Sequence, residues 1–257
     1  MTSYPFTSAL LTGASSGIGE AMANLLGAAK VPTVLVARRT ERLQQLADRY
    51  PGFTVLTADL SDPDDLNGVA DRIASSTEPI DLVVNNAGFG TTGMFHQLDA
   101  DRLDDEIGLN VAALTRLSHA ALATMVPRGR GYLLNVSSMA SFQPAPKLAV
   151  YAATKAYVTN LTESLHEEMR GTGVHVTALC PGLTRTEFQS VSGSEVSGAN
   201  YPAMAWLKVE DVARAGLDDV AKGRTLSIPG LLYKGMSVAS GITPRGLTRR
   251  LASLVQR

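Results

Sequence analysis

The sequence holds one Tyr-x-x-x-Lys, Tyr151 to Lys155. It opens a stretch patterned as a helix over residues 151–170, where i, i+4 spacing puts both side chains on one face, one turn apart. A free tyrosine titrates near about 10, too high for an efficient base at neutrality. An ammonium close by stabilises the phenolate and is expected to lower that value. Ser138 lies thirteen residues upstream of Tyr151, just past an apolar run. Its hydroxyl could hold a reacting oxygen and stabilise charge developing there. Ser137 is its neighbour, and spacing alone selects Ser138. Together these groups could exchange a proton with a substrate oxygen.

A second group of residues could hold an anion. The first apolar run ends in Thr12-Gly13-Ala14-Ser15-Ser16-Gly17-Ile18-Gly19. Gly13 permits a tight turn, Gly17 lets backbone approach a pyrophosphate, and Gly19 lets the following helix pack closely on a sheet. The helix N-terminus presents N–H groups and the positive dipole end, with the Ser15 and Ser16 hydroxyls beside them. About twenty residues on, the second run ends in Ala37-Arg38-Arg39, with no carboxylate at positions 37 to 40. Guanidinium groups pair well with phosphate.

The elements that must position these groups alternate. Strand-like runs fall at 8–12, 33–37, 53–57, 81–85, 131–137, 174–180 and 224–228. Helical patterns fall at 17–29, 40–49, 62–74, 103–125, 151–170 and 209–220. The strands are rich in Val, Leu and Thr without strict alternation, as strands covered on both faces are. Right-handed βαβ crossovers then imply an α/β doubly wound Rossmann fold, a seven-stranded parallel sheet flanked by helices. No linker or composition break appears before about residue 183, and residues 1–257 are expected to form a single domain. Residues 183–208 are expected to be a substrate-binding loop region and 231–257 a C-terminal extension.

The T-G-x-x-x-G-x-G turn, followed in order by Asp59-Leu60, Asn85-Asn86-Ala87-Gly88, Tyr-x-x-x-Lys and Pro181-Gly182, resembles the short-chain dehydrogenase/reductase family over about residues 7–230. The resemblance implies an oxidoreductase that moves a hydride between a nicotinamide cofactor and a carbonyl or alcohol, with Tyr151 as general acid or base. Lys155 would also bind the nicotinamide ribose. Asn110 matches a fourth catalytic position that holds a proton-relaying water. Asp59 and Leu60 would meet the adenine, and Asn86, Ala87 and Gly88 the adenosine side. Pro181 and Gly182 would lie beside the nicotinamide. Thr184 and Thr186 either bond the carboxamide or cap a helix. Ile18 joins the cofactor set through the turn. Arg38 falls where NAD-preferring relatives carry Asp, so Arg38 and Arg39 point to NADP(H). The two long helices resemble those this family pairs across subunits, which implies a homodimer or homotetramer. The alternative is an idle NADP(H)-binding sensor, yet all four catalytic positions are intact.

Bulk properties narrow the class further. The chain of 257 residues is 45% hydrophobic and 18% charged with net charge −1, a globular composition. No nucleic-acid partner is expected. No apolar run reaches a membrane span, and the first residues lack a signal-peptide pattern, so a cytoplasmic enzyme is expected. The single Cys180 reads as a buried strand residue, and the scattered histidines give no metal site. Leu183 to Leu207 carries Phe188, Tyr201, Met204 and Trp206, which suits a lid over an apolar substrate. Beyond Asp219 every charged residue is basic. There Leu247, Leu251, Leu254 and Val255 fall on one helical face. That tail either docks on the protein or touches a membrane or an acyl carrier. Asp64-Asp65 and Asp104-Asp105 read as solvated helix faces.

Overall fold

The computed structural model describes residues 3–193 and 203–242. Seven strands form one sheet: β1 (Ala9–Thr12), β2 (Thr33–Ala37), β3 (Phe53–Thr57), β4 (Leu82–Asn85), β5 (Gly131–Val136), β6 (Val174–Leu179) and β7 (Leu226–Ser227). The order is β3-β2-β1-β4-β5-β6-β7, and all neighbours pair in parallel. This is the doubly wound Rossmann arrangement. Its winding reverses between β1 and β4, where open sheets bind ligands at their carboxyl edge.

Both faces are covered, which explains the continuous apolar runs. Leu11, Leu35, Val84 and Leu134 point to one face, where they join Met22 and Leu26 of α1 (Gly17–Ala28). Leu43 and Leu46 of α2 (Thr40–Arg49) and Val212 and Leu217 of α8 (Val209–Ala221) complete that core. Leu10, Val34, Val83 and Leu133 point to the other face. They meet Val69 and Ile73 of α3 (Pro63–Ala74) and Leu117 and Met125 of α5 (Leu114–Arg128). Successive strand residues thus serve opposite cores, as the period of two requires. Each such leucine contributes about 1.5–3 kcal/mol by leaving water.

Local signals set the helix ends. Asp62 caps α3 by accepting from the amides of Asp64 and Asp65, with Pro63 in the first turn. Asp99 caps α4 (Ala100–Ile107) through the Asp101 amide. The helix expected at 103–125 is longer and interrupted: α4 passes into a π-helical turn over Gly108–Ala113, then into α5. The wide turn carries Asn110, and such turns often mark functional sites.

The next helix is α6 (Ala149–Glu168), close to the expected span, and β7 is shorter than expected. Residues 183–193 hold a short helix, α7 (Phe188–Val191), and Thr184 bridges to Leu207. A helix that the pattern did not suggest, α9 (Leu231–Ile242), follows β7. Tyr201 and the 246–255 stripe lie outside the described residues. No helix among the described residues is long and apolar enough to cross a membrane.

Candidate active site

The expected residues gather at the carboxyl edge. Ser138 follows β5, its side chain accepting from the Ala140 amide at 3.1 Å. The Ser138 hydroxyl also faces Tyr151 and works to lower its pKa. Ser137 turns the other way: it is buried, donates to the Lys155 carbonyl at 2.8 Å and shares a 2.7 Å bond with Thr159. Lys155 lies beneath, 5% exposed, its Nζ donating to the Val136 carbonyl at 2.9 Å and 5.8 Å from the Tyr151 ring centroid.

The electrostatics correct one expectation. Lys155 does not lower the Tyr151 pKa here. Burial of the phenol pushes it up to about 12, opposed by the Ser138 hydroxyl and reinforced by the Glu106 charge. Burial likewise depresses Lys155 to about 8, against the raising effect of Glu106. Desolvation is the leading effect on both groups. At neutral pH Tyr151 is thus a phenol, the proton-donating form.

Asn110 is fully buried in the π-helical turn. Its Nδ2 donates to the Phe89 carbonyl at 2.8 Å and to Thr154 Oγ1 at 3.2 Å, and its Oδ1 accepts from the Phe89 amide at 3.2 Å. Gly88 marks where Asn110 and Lys155 converge. A Cβ there would stand 2.6 Å from Asn110 Oδ1 and 3.5 Å from Lys155 Nζ. Behind it a buried polar chain ties the sheet to its helices: Asn85 donates to Asn135 at 2.9 Å, and Asn135 to Thr162 at 3.0 Å.

The glycine turn lies at the end of β1. Gly17 has φ +58, which disfavours a side chain, and begins α1. Ser16 precedes it in extended conformation, and its hydroxyl does not cap the helix. Ile18 is partly buried and Gly19 buried against the turn, where a Cβ would strike the Gly13 carbonyl. Asn86 braces the turn by donating to the carbonyls of Thr12 and Gly13, while the Asn86 and Ala87 amides share Thr12 Oγ1.

The two arginines divide. Arg39 turns inward and donates to Ser15 Oγ at 3.1 and 3.0 Å. Arg38 is 74% exposed and stands 3.6 Å from Asp59, next to buried Leu60. Arg42, which the sequence reading missed, also reaches Ser15, through its carbonyl at 3.3 Å. Helix phase puts it one turn beyond Arg38 on α2.

The model of the short chain dehydrogenase family matches residues 7–196. The chain belongs to that family. An oxidoreductase from Staphylococcus epidermidis is 33% identical over 208 residues, 80% of this chain and 87% of the relative. A short-chain dehydrogenase from Sphingobium yanoikuyae in complex with NADPH superposes with TM-score 0.84 at 33% identity, covering 96% of this chain and 94% of that one. A bulky-bulky ketone specific alcohol dehydrogenase from Comamonas testosteroni gives 0.77 at 30% identity, covering 93% and 95%. Like the staphylococcal relative, this short chain dehydrogenase is an oxidoreductase.

The segment after β6 crosses the site. Pro181 accepts from the Met139 amide at 2.9 Å, and Tyr233 of α9 packs its ring on Gly182. The Tyr233 hydroxyl accepts from the Leu183 amide at 3.0 Å and donates to the Ala205 carbonyl at 2.6 Å. No sequence pattern singled out this anchor. Thr184 donates to the Gly182 carbonyl, and Thr186 accepts from the Phe188 amide at 3.2 Å. Thr186 thus turns the chain into α7 through the Phe188 amide. Phe188 lies over Tyr151, ring centroids 5.2 Å apart, and Gly90 touches both rings. Cys180 is fully buried, and desolvation raises its thiol to about 12, so it is an inert strand-end residue.

Glu106 was also missed. It follows the exposed Asp104 and Asp105, but its carboxyl is fully buried one turn before Asn110. Burial raises its pKa, with Thr91, Lys155 and Arg102 pulling it down. In its ionised form it favours cationic Lys155. We expect kcat/KM for carbonyl reduction to be level at neutral pH and to fall as Lys155 loses its proton around pH 8. Glu106→Gln removes the charge that holds that proton, so the alkaline limb should move to lower pH. A limb left in place by the substitution would detach Glu106 from Lys155.

Proposed function

We propose that this short chain dehydrogenase reduces a carbonyl to an alcohol, or runs the reverse reaction, with NADP(H) and an apolar substrate. The observation that carries the reading is the Tyr151 phenol facing Ser138, with buried Lys155 beneath its ring. The donor set suits the cofactor: an uncapped α1 N-terminus for pyrophosphate, and Arg38, Arg39 and Arg42 for the 2′-phosphate. NADPH supplies the hydride. Ser138 and Tyr151 bind the carbonyl oxygen, and Tyr151 delivers the proton to it. Lys155 stabilises the phenolate left behind, and Asn110 fixes the Phe89 backbone where a relay water would sit. Asp59, Asn86, Ala87, Gly88, Pro181 and Gly182 would line the cofactor's course along the edge.

Phe188 over Tyr151 supports an apolar substrate, and the bulky-bulky ketone specificity of the Comamonas enzyme supports a ketone as the carbonyl. NADP(H) is supported by the arginines and by the NADPH complex of the Sphingobium enzyme. The test is oxidation of NADPH and NADH against ketones, aldehydes and 3-oxoacyl thioesters of graded size. The reading requires turnover of an apolar ketone with NADPH preferred; preference for NADH would overturn the cofactor assignment.

Subunit pairing through α5 and α6 belongs to the same proposal. Tyr157 of α6 is 40% exposed and hydrogen-bonds Thr115 of α5 at 3.0 Å, so the two helices present one joint face. Light scattering at micromolar concentration should give a dimer or tetramer. A monomeric mass would remove this claim.

A further inference from the structure

The strongest contact between distant parts of the chain at the site's edge is made by Glu187. Its Oε2 accepts from Arg39 Nη1 at 2.8 Å and its Oε1 from Arg42 Nη1 at 2.6 Å. Each carboxylate oxygen serves a different guanidinium. The same two arginines hold Ser15 of the glycine turn, Arg39 through the hydroxyl and Arg42 through the carbonyl. Two guanidiniums converging on one small anion, beside the phosphate turn, are a donor set for a phosphoryl group. Here that set is satisfied from within the chain, by a residue 148 positions from Arg39.

Glu187 also fixes what lies next to it. Thr186 sits over Gly17, its side chain 3.2 Å from where a Cβ would be. The clasp therefore holds the segment after β6 across the turn that the pyrophosphate would approach. Side chains of Arg39, Arg42 and Glu187 are each about 43–44% exposed. Exposed ion pairs of this kind are individually weak and open readily. The two guanidiniums hold the Glu187 carboxyl below its usual range, so it is ionised at neutral pH.

We propose that Glu187 is an internal competitor for the 2′-phosphate of NADP(H), occupying Arg39 and Arg42 until that phosphate displaces it and frees residues 183–193 from the glycine turn. The proposal rests on the NADP(H) reading above. A phosphate monoester brings nearly two negative charges and three acceptor oxygens, against one charge and two oxygens on the carboxylate. It wins the guanidiniums and repels Glu187. A ribose without the phosphate offers no such exchange, so the clasp weighs on the phosphorylated cofactor alone.

The test uses the full chain and two probes that differ by the phosphate alone, 2′,5′-ADP and 5′-AMP. In Glu187→Gln, affinity for 2′,5′-ADP should rise about three- to fivefold, the upper end of what one exposed charge pair is worth. Affinity for 5′-AMP should change less than about twofold. In the wild type, 2′,5′-ADP should speed hydrogen–deuterium exchange across 183–193, and 5′-AMP should not. The thermal midpoint of Glu187→Gln checks that the fold is intact. Weaker binding of 2′,5′-ADP by the variant, or equal changes for both probes, overturns the competition. If the wild type binds both probes alike, the NADP(H) reading fails and the proposal with it. If it prefers 2′,5′-ADP but Glu187→Gln leaves that preference unchanged, the clasp alone is wrong.

Discussion

Tyr151→Phe is expected to lower kcat for carbonyl reduction by about 10²- to 10⁴-fold, the usual worth of a positioned proton donor. Cofactor affinity should stay within a few-fold. The substitution removes one oxygen, and with it the proton and the contact with Ser138, while the ring stays against Phe188 and Gly90. Stability should fall by no more than about 0.5–1.5 kcal/mol, the net worth of one hydrogen bond between neutral groups. The loss should appear in kcat, since the proton is used in the transition state. Ser138→Ala should lose less, since the phenol remains. Stopped-flow reduction with saturating NADPH separates chemistry from product release. A Tyr151→Phe enzyme with near-normal kcat would mean that another acid protonates the oxygen, and the mechanism proposed above would be wrong.

What could be read from the sequence was whatever is encoded by short spacing. The glycine turn, the Tyr-x-x-x-Lys pair and the strand-end residues carry their geometry in a few adjacent positions, and α/β alternation arranges the rest. The seven strands were legible because strands buried on both faces leave unbroken apolar runs. The π-helical turn at Gly108–Ala113 was not, because one extra residue in a turn leaves no gap in a helical pattern. Glu106 was hidden for a related reason. It follows two aspartates that face solvent, and only the helix phase turns it inward toward Lys155.

Contacts between distant segments were out of reach altogether. Tyr233 anchors Gly182 and Leu183 from α9, a helix whose Gly, Ser and Ala content masks its pattern. Glu187 meets Arg39 and Arg42 only after the sheet has brought the ends of β2 and β6 to one edge. The Tyr151 pKa was misjudged because residue types announce charge partners, whereas desolvation depends on the packing around them.

Cofactor choice gives the second large effect. Arg38→Asp should move preference from NADPH toward NADH. Arg38 extends from the end of β2 and is held only by an exposed pair with Asp59 at 3.6 Å, so it can turn to a 2′-phosphate at little cost. A hydrogen bond to a charged group contributes about 1.5–3 kcal/mol, roughly 10- to 150-fold in affinity. The new carboxylate adds repulsion toward the phosphate and can accept from free ribose hydroxyls. It would also face Asp59, and that repulsion argues for a small loss of stability rather than a rearranged β2. Arg39 and Arg42 remain, engaged with Ser15 and Glu187, so some affinity for the phosphate should survive. The measurement is kcat/KM for both cofactors in wild type and variant at one ionic strength, since salt screens exposed pairs. A variant that still strongly prefers NADPH would move the decisive contact from Arg38 to Arg39 and Arg42. In that case Arg39→Asp, which also breaks the clasp with Glu187, should produce the switch that Arg38→Asp did not.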